Sequence, residues 1–233
     1  MKISLFGISG VPLGKHNVKD PQLDQADKLV EAKKKVYIQV DAIDAEHINE
    51  ADAVMALDEA APDLILRDLE FVESRLSRDP AGIELGLLPK LKASLEKEEF
   101  LFKLTFNPEE QAMVASYGLV TVKPTLAIKS EQIEKIGELW LTLVQACGYL
   151  SFLTLGGKEN RAWQIKKGTN AWEAAGAIHS DIQKGFIRAE IISFADLVSN
   201  GGETQAKRAG KMRLEPKDYL MQDYDVVNFR FNK

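Results

Sequence analysis

The residues of this chain that could bind a phosphate are a glycine and a lysine near the N-terminus, in the stretch GVPLGKHNV (10–18). A phosphate-binding loop reads GxxxxGK[ST]; it directs backbone N–H groups and a lysine at the phosphates and places a hydroxyl on Mg²⁺. Gly14 and Lys15 match this pattern, whereas Ser9 stands at the first glycine and His16 at the hydroxyl. The stretch is therefore either a degraded nucleotide site or an ordinary turn after a first strand.

The histidines and the cysteine offer no second catalytic centre. His16, His47 and His179 are scattered, and Cys147 is the only cysteine, so the sequence has no zinc-ligand spacing and no internal disulfide. No catalytic residue and no metal site are predicted. A single cysteine is typical of a reducing compartment, so we expect a cytoplasmic protein. No apolar run approaches the roughly 20 residues that span a bilayer, and no membrane association is expected.

The elements that must position the glycine loop alternate between strand and helix patterns, which predicts an α/β layer with parallel strands over residues 1–150. The strand patterns lie at 2–8, 34–43, 51–58 and 119–128, and the helix patterns at 20–32, 107–118 and 131–146. Within this layer, two apolar stripes at helical spacing predict a helical hairpin at about 62–98. The pattern fits a projecting arm and a packed helix pair equally well.

Residues 151–233 have a different pattern. Two strands around a Gly-Gly turn precede a helix at 171–180, a strand at 186–192, two short helices and an alternating end. This order predicts a small β-grasp-like α+β domain. We therefore expect two domains, 1–150 and 151–233.

Charge is distributed unevenly between the two predicted domains. Residues 1–150 contain 17 Lys and Arg against 25 Asp and Glu, whereas residues 151–233 contain 13 against 10. A basic face could neutralise RNA phosphates, although interspersed acids such as Glu203 and Glu215 also fit a solvated surface. The predicted RNA- or partner-binding residues are Lys166, Lys167, Lys184, Arg188, Lys207, Arg208, Lys211 and Arg213.

The stretch AAGAIHSDIQKGFIRAE (174–190) closely resembles the C-terminal TGS domain, also called DUF933, of the YchF group of Obg-like ATPases. The resemblance implies a ubiquitin-like β-grasp fold for this domain. Pro216 and Tyr224 stand where this family usually has glycines, and a tyrosine in that turn is expected to change the shape of the final hairpin.

Upstream, three segments resemble the G domain of the same family in the same order. Residues 20–44 resemble the stretch from switch I to the third GTPase motif, residues 63–78 the start of the helical arm, and residues 119–128 the strand before the base-recognition motif. Family members are much longer, and the missing residues fall mainly in the G domain. The chain thus resembles a truncated, degenerate paralogue with a reduced P-loop GTPase-like core.

The resemblance also shows which family motifs are damaged. Asp41 matches the aspartate of the Asp-x-x-Gly motif, but Asp44 stands at its glycine, where a carboxylate would repel the γ-phosphate. The Asn-x-x-Glu motif keeps Glu131 and has Ile128 in place of asparagine. Gly14-Lys15 descends either from the P-loop or from the far side of the deletion. The predicted remnant of a nucleotide site is Gly10, Gly14, Lys15 and Asp41.

Three function hypotheses follow. The first is a non-hydrolysing YchF-like adaptor that takes no cofactor and binds RNA, the ribosome or a translation-associated partner through its TGS domain. It follows from the resemblance, because TGS domains occur in translation factors and YchF proteins associate with ribosomes. The second is a regulatory protein with residual binding of GTP or ATP with Mg²⁺ and weak or no hydrolysis. The third is a protein–protein scaffold that forms a homodimer through a free sheet edge.

Overall fold

The computed structural model describes residues 1–232, which form two compact units from discontinuous stretches of chain. The first unit comprises Met1–His16 and Val40–Leu139, and the second comprises Asn17–Gln39 together with residues 140–232. The units therefore differ from the predicted domains mainly in residues 17–39, which pack with the C-terminal part of the chain.

The described residues form eleven strands and nine α-helices. The strands are β1 (Lys2–Phe6), β2 (Gly14–Asn17), β3 (Lys35–Val36), β4 (Gln39–Ile43), β5 (Ala53–Leu57), β6 (Thr125–Ile128), β7 (Tyr149–Thr154), β8 (Asn160–Lys166), β9 (Phe186–Ile192), β10 (Arg213–Glu215) and β11 (Val226–Phe231). The α-helices are α1 (Pro21–Leu29), α2 (Ala61–Leu76), α3 (Glu84–Leu95), α4 (Pro108–Tyr117), α5 (Ile136–Ala146), α6 (Ala171–Ile178), α7 (Ser180–Lys184), α8 (Phe194–Ser199) and α9 (Glu203–Arg208). Short 3₁₀ helices cover Ala45–Glu50, Leu101–Lys103 and Ser130–Lys135.

The first unit contains a five-stranded sheet in the order β2-β4-β1-β5-β6. β1 pairs in parallel with β4 and β5, and β5 pairs in parallel with β6. The predicted strand at 119–128 is confirmed only from Thr125 onwards. The residue before it is Pro124, which cannot donate a ladder hydrogen bond, and β6 is an edge strand, as expected for a strand that follows proline.

The predicted helical hairpin is formed by α2 and α3, and its apolar stripes are buried inside the first unit. They pack against each other and against α4 and the segment after it. Asp68 of α2 is buried and accepts hydrogen bonds from the backbone N–H groups of Val120 and Thr121 and from the Thr121 hydroxyl. The two helices are therefore a packed pair that shares its core with α4.

The second unit contains a six-stranded sheet in the order β10-β9-β11-β7-β8-β3. The first hairpin, β7–β8, and the β9–β11 pair are antiparallel, while β11 runs parallel to β7. α6 covers one face, where Phe152, Ile191 and Phe229 belong to the core. The predicted strand at 34–43 is divided, because β3 pairs with β8 of this sheet whereas β4 pairs with β1 of the other.

The turn before β11 keeps a glycine-like backbone although it contains a tyrosine. Tyr224 has a φ of +60°, in the left-handed region that glycine favours. Its ring is buried and lies 5.9 Å from the ring of Phe194. The turn thus combines a strained left-handed backbone with a buried ring, and whether its shape differs from that of a turn with glycine stays a prediction.

No helix within residues 1–232 combines the length and apolar character that crossing a bilayer requires.

Candidate functional site

Four parallel strands of the first unit end at one edge of its sheet, and the glycine loop belongs to this edge. Ligands of open α/β sheets bind outside the carboxyl ends of the strands. The segments found there are the loop 7–13 after β1, Asp44 after β4, Asp58 after β5 and residues 129–131 after β6. A depression of about 380 Å³ is lined by Asp58, Glu59, Ile128, Lys129, Ser130 and Glu131.

The loop after β1 does not form a phosphate cradle. A phosphate-binding loop presents N–H groups from the first turn of a helix, but Gly14 and Lys15 open strand β2. Lys15 is exposed, and His16 Nε2 lies 2.6 Å from the carbonyl oxygen of Pro12. Gly10 has a φ of +80° in the preceding loop.

Gly7 is a residue of this edge that the sequence analysis did not single out. Its φ is +71°, and a Cβ atom at this position would lie 2.8 Å from the Cβ of Ala60. The loop can pass the start of α2 only because residue 7 has no side chain. A glycine near the end of the first strand pattern, 2–8, was the available signal.

Asp41 does not lie at the carboxyl edge. It pairs with Lys2 at the start of β1, and Ala42 and Ile43 pair with the next two residues of β1. The structure therefore does not bring Asp41 together with Gly10, and Asp41 is not placed to support a magnesium ion at the loop.

The carboxylate that does lie at the edge is occupied by its own chain. Asp44 Oδ1 accepts hydrogen bonds from the His47 backbone N–H (3.0 Å) and lies 2.7 Å from His47 Nδ1. This bond with His47 lowers the pKa of the Asp44 carboxyl, so it is ionised at neutral pH. At the β5–β6 end of the same edge, Ser130 Oγ donates to Glu59 Oε1 (3.3 Å). An acidic edge of this kind repels a polyphosphate.

A nucleotide with Mg²⁺ therefore does not fit the residues at this edge. Gly14 and Lys15 lie in a strand where a phosphate-binding loop needs the first turn of a helix, and Asp41 lies away from the edge. Three of the six residues that line the depression carry carboxylates, namely Asp58, Glu59 and Glu131. Within residues 1–232, no group of three or more His, Cys, Asp and Glu side chains could hold a metal ion.

The eight basic residues predicted to bind RNA do not form one face. Three of them lie within ion-pair distance of acidic neighbours, which neutralise part of their charge. The pairs are Lys207–Glu203 (2.5 Å), Lys211–Asp196 (3.4 Å), Arg213–Glu215 (3.6 Å) and Arg213–Asp225 (3.8 Å).

Lys166 and Lys167 lie at the far end of the second sheet from Arg188. Lys166 pairs with Tyr149 in the β7–β8 ladder, and its Nζ lies 3.7 Å from the centroid of that ring. Leu153 of β7 pairs in parallel with Val226 of β11. Tyr149 lies four residues before Leu153, and Arg230 lies four residues after Val226. Their ladder partners, Lys166 and Arg188, are therefore about 26 Å apart along the strand direction.

Arg188 lies directly opposite Arg230 in the antiparallel ladder between β9 and β11, and both side chains are exposed. The next pair along, Ala189 and Phe229, belongs to the core beneath α6. Because side chains alternate along a strand, the two arginines point to the opposite face of the sheet. Lys184 lies at the same end, since the next residue, Gly185, accepts a backbone hydrogen bond from Asn232.

Arg230 was missed by the sequence analysis. The alternation in VVNFRF (226–231) was a signal that residue 230 is an exposed strand position. Its position opposite Arg188, however, depends on the register between two strands that are distant in the chain. Arg208 is exposed at the end of α9.

The similarity of this chain to known proteins shows its family. Residues 149–232 match the family model YchF-GTPase_C, described as a protein of unknown function (DUF933). The ribosome-binding ATPase YchF of Haemophilus influenzae is 32% identical over 243 residues, which cover 78% of this chain and 67% of that protein. The chain belongs to the YchF family of Obg-like ATPases.

Two further relatives show how the similarity is distributed. The ribosome-binding ATPase YchF of Bacillus subtilis is 34% identical over 235 residues, or 73% of this chain, and the match spans only 64% of that protein. Obg-like ATPase 1 of Danio rerio is 44% identical over 97 residues, covering 40% of this chain and 24% of that protein. The matches of this YchF-family chain thus span about two thirds of the length of its bacterial relatives.

The fold of this YchF-family chain is also found among solved structures. The YchF GTPase of Schizosaccharomyces pombe superposes with a TM-score of 0.74 over 99% of this chain and 97% of that one, at 19% sequence identity. The match supports a G-domain-like α/β fold with mixed α/β sheets.

Proposed function

We propose that this chain is a non-hydrolysing YchF-family adaptor that binds the ribosome, or RNA within it, through its C-terminal unit. The observation that carries the proposal is the replacement of the phosphate-binding helix by strand β2 at Gly14 and Lys15. Relatives named ribosome-binding ATPases supply the ribosome as the expected partner. The names of these relatives give two properties, ribosome binding and ATPase activity. Without a phosphate cradle, we expect this chain to have only the first.

The C-terminal unit is proposed to be a TGS module of β-grasp type. The proposal is supported by the strand order β10-β9-β11-β7-β8. Along the chain, the β7–β8 hairpin comes first and helix α6 follows. The last strand, β11, lies in the middle of the sheet and runs parallel to β7. Exposed basic residues on β9 and β11 give it a surface that suits a polyanion. We expect the protein to be cytoplasmic, as ribosome binding requires.

Two measurements on the full chain test this proposal. In the first, the protein is pelleted with purified ribosomes across a salt series, and we expect co-sedimentation at low salt that declines as salt rises. In the second, thermal unfolding is followed with and without Mg-ATP or Mg-GTP, with a full-length YchF-family ATPase as the positive control. A ligand at about 100 times its Kd stabilises a protein by about 2.7 kcal/mol, so even modest affinity is visible.

The outcomes separate the function hypotheses. Ribosome binding without a nucleotide response supports the adaptor. A Mg-dependent rise in Tm contradicts the proposed loss of nucleotide binding and supports a residual nucleotide-binding regulator instead. No pelleting at low salt contradicts the adaptor, and a concentration-dependent mass in that case supports a homodimeric scaffold.

A further inference from the structure

The paired arginines on the exposed face of β9 and β11 are unfavourable for the isolated chain. Residues directly opposite in an antiparallel pair have Cβ atoms about 4.5–5.5 Å apart, and like charges at such positions are destabilising. Arg188 and Arg230 occupy one such pair. Among residues 1–232, the Arg188 side chain has no hydrogen-bond or ion-pair partner. Folding therefore gains nothing from the charge of Arg188.

Arg230 is held in place by the neighbouring pair. Its Nε donates to Glu190 Oε1 (2.8 Å), and Asn228 Nδ2 donates to Glu190 Oε2 (2.8 Å). Glu190 is only 8% exposed. Burial raises the pKa of Glu190, but the bonds from Arg230 and Asn228 outweigh burial and lower it overall, so the carboxylate stays ionised. One edge of the Arg230 guanidinium is thereby fixed, and its remaining N–H groups stay available.

The chemistry of this surface favours the backbone of a nucleic acid. Guanidinium groups bind phosphate oxygens through two parallel N–H donors, and two of them side by side can hold one phosphate or adjacent phosphates. Glu190, the acidic residue bonded to Arg230, also accepts a hydrogen bond from Asn228, so its carboxylate already has partners. Beside Glu190 and Asn228 lies a depression of about 500 Å³ that Glu203 and Lys207 also line, whereas the two arginines are exposed on the strands outside this lining, where an extended chain of phosphates can reach them.

From this geometry we infer that Arg188 and Arg230 form a phosphodiester-binding subsite for RNA on the exposed face of β9 and β11. The inference rests on the proposed ribosome-binding function, of which it names the contact and the chemical class of ligand. Glu190 and Asn228 act as positioning residues for Arg230.

Arg188→Glu is the sharpest test, because Arg188 has no bond to lose and the substitution turns a like-charge pair into an opposite-charge pair. The full chain is titrated against a short labelled single-stranded RNA by fluorescence anisotropy at several salt concentrations. We expect Kd to rise about tenfold, as for loss of a charged hydrogen bond. The slope of log K against log salt falls by about 0.7 to 1, while Tm is unchanged or higher. The matched control is Lys33→Glu, an equal charge change at an exposed residue outside the proposed surface.

Arg188→Lys then separates geometry from charge, since it keeps the charge and removes the two-donor fork. A Kd between those of the native chain and Arg188→Glu supports the subsite. Equal RNA affinity of Arg188→Glu and Lys33→Glu overturns it, as does displacement of the RNA by an equal concentration of polyglutamate, which would assign the surface to acidic peptides. Ribosome pelleting of the same variants is scored separately: native binding that Arg188→Glu leaves intact overturns the subsite but not the proposed function.

Discussion

Asp41 lies directly opposite Lys2 in the parallel ladder between β4 and β1. Lys2 begins β1, whereas the glycine loop follows its last residue, Phe6, about 13 Å farther along the strand. The Asp41 charge therefore acts on Lys2, whose pKa is raised mainly by Glu50 and to a smaller extent by Asp41. The one aspartate that matches a magnesium-binding position is thus committed to the amino end of the sheet.

This placement predicts that Asp41→Asn leaves the response to nucleotide unchanged. We expect thermal unfolding curves of the native chain and the variant to be the same with and without Mg-ATP, because under the proposed function neither protein binds it. Lys15→Ala serves as a second variant at the exposed lysine of β2. A Tm rise with Mg-ATP in the native chain that either substitution abolishes would contradict our account of the edge.

A second prediction concerns Asp68, which joins α2 to the segment before β6. Asp68→Ala leaves two buried backbone N–H groups, of Val120 and Thr121, without an acceptor. We expect a loss of about 3 kcal/mol in the free energy of unfolding, because each unsatisfied buried donor costs about 1–3 kcal/mol. Urea denaturation measures this loss. The control Thr121→Val removes only the hydroxyl bond and should cost less; equal losses would show that the backbone bonds contribute little.

A third prediction concerns two aspartates of one helix region that should respond oppositely to pH. Asp20 is fully buried and caps α1; burial raises its pKa above the ordinary 3.8, although bonds from the N–H groups of Leu23 and Gln22 oppose this. For Asp24 burial also raises the pKa, but the bonds from Lys35 and Tyr37 outweigh it and lower the pKa overall. The folded state binds the Asp20 proton more tightly than the unfolded state does. The free energy of unfolding therefore falls as pH rises from 3.8 through the raised pKa of Asp20. Asp24 instead stabilises above 3.8, and that contribution is lost as pH falls below it.

Asp20→Asn and Asp24→Asn test these signs by urea denaturation between pH 3 and pH 7. Asparagine caps a helix about as well as aspartate. We therefore expect Asp20→Asn to be as stable as the native chain or more stable at pH 7, with the difference vanishing at low pH. Asp24→Asn should be less stable at pH 7 and equal to the native chain at low pH. Parallel pH profiles for the two variants would contradict the assignment.

The last prediction concerns Tyr224, whose hydroxyl is buried without a hydrogen-bond partner among the described residues. Burial and the nearby Asp20 charge raise its pKa, so the phenol stays neutral. Tyr224→Phe removes the unsatisfied hydroxyl and should be neutral or stabilising by up to about 1 kcal/mol. Tyr224→Gly relieves the strained backbone but deletes a buried ring, and we expect a net loss of about 2–3 kcal/mol.

Thermal and urea unfolding of both Tyr224 variants measure the balance between strain and burial. If Tyr224→Gly is more stable than the native chain, the left-handed backbone costs more than the ring contributes. If Tyr224→Phe is clearly destabilised, the hydroxyl makes a bond in solution.

The sequence by itself determined those features that depend on neighbouring residues. Asn107 and Pro108 mark the start of α4, and Gly118 ends it in a left-handed conformation, all as the local pattern predicts. The strand at 186–192 and the helical hairpin follow from periodicity, and the edge position of β6 agrees with the chemistry of Pro124 before it. The family resemblance, carried by 174–190, is confirmed by the comparisons.

Tertiary structure alone decided which distant residues meet. The pattern of 34–43 gives no reason to divide that strand between two sheets, and only pairing with β8 and β1 does so. Likewise, the residue types of Asp41, Arg188 and Arg230 were visible in the sequence, but their partners were not. Caps and turns are set by a few neighbouring residues, whereas strand register is set by the packing of whole elements that are distant along the chain.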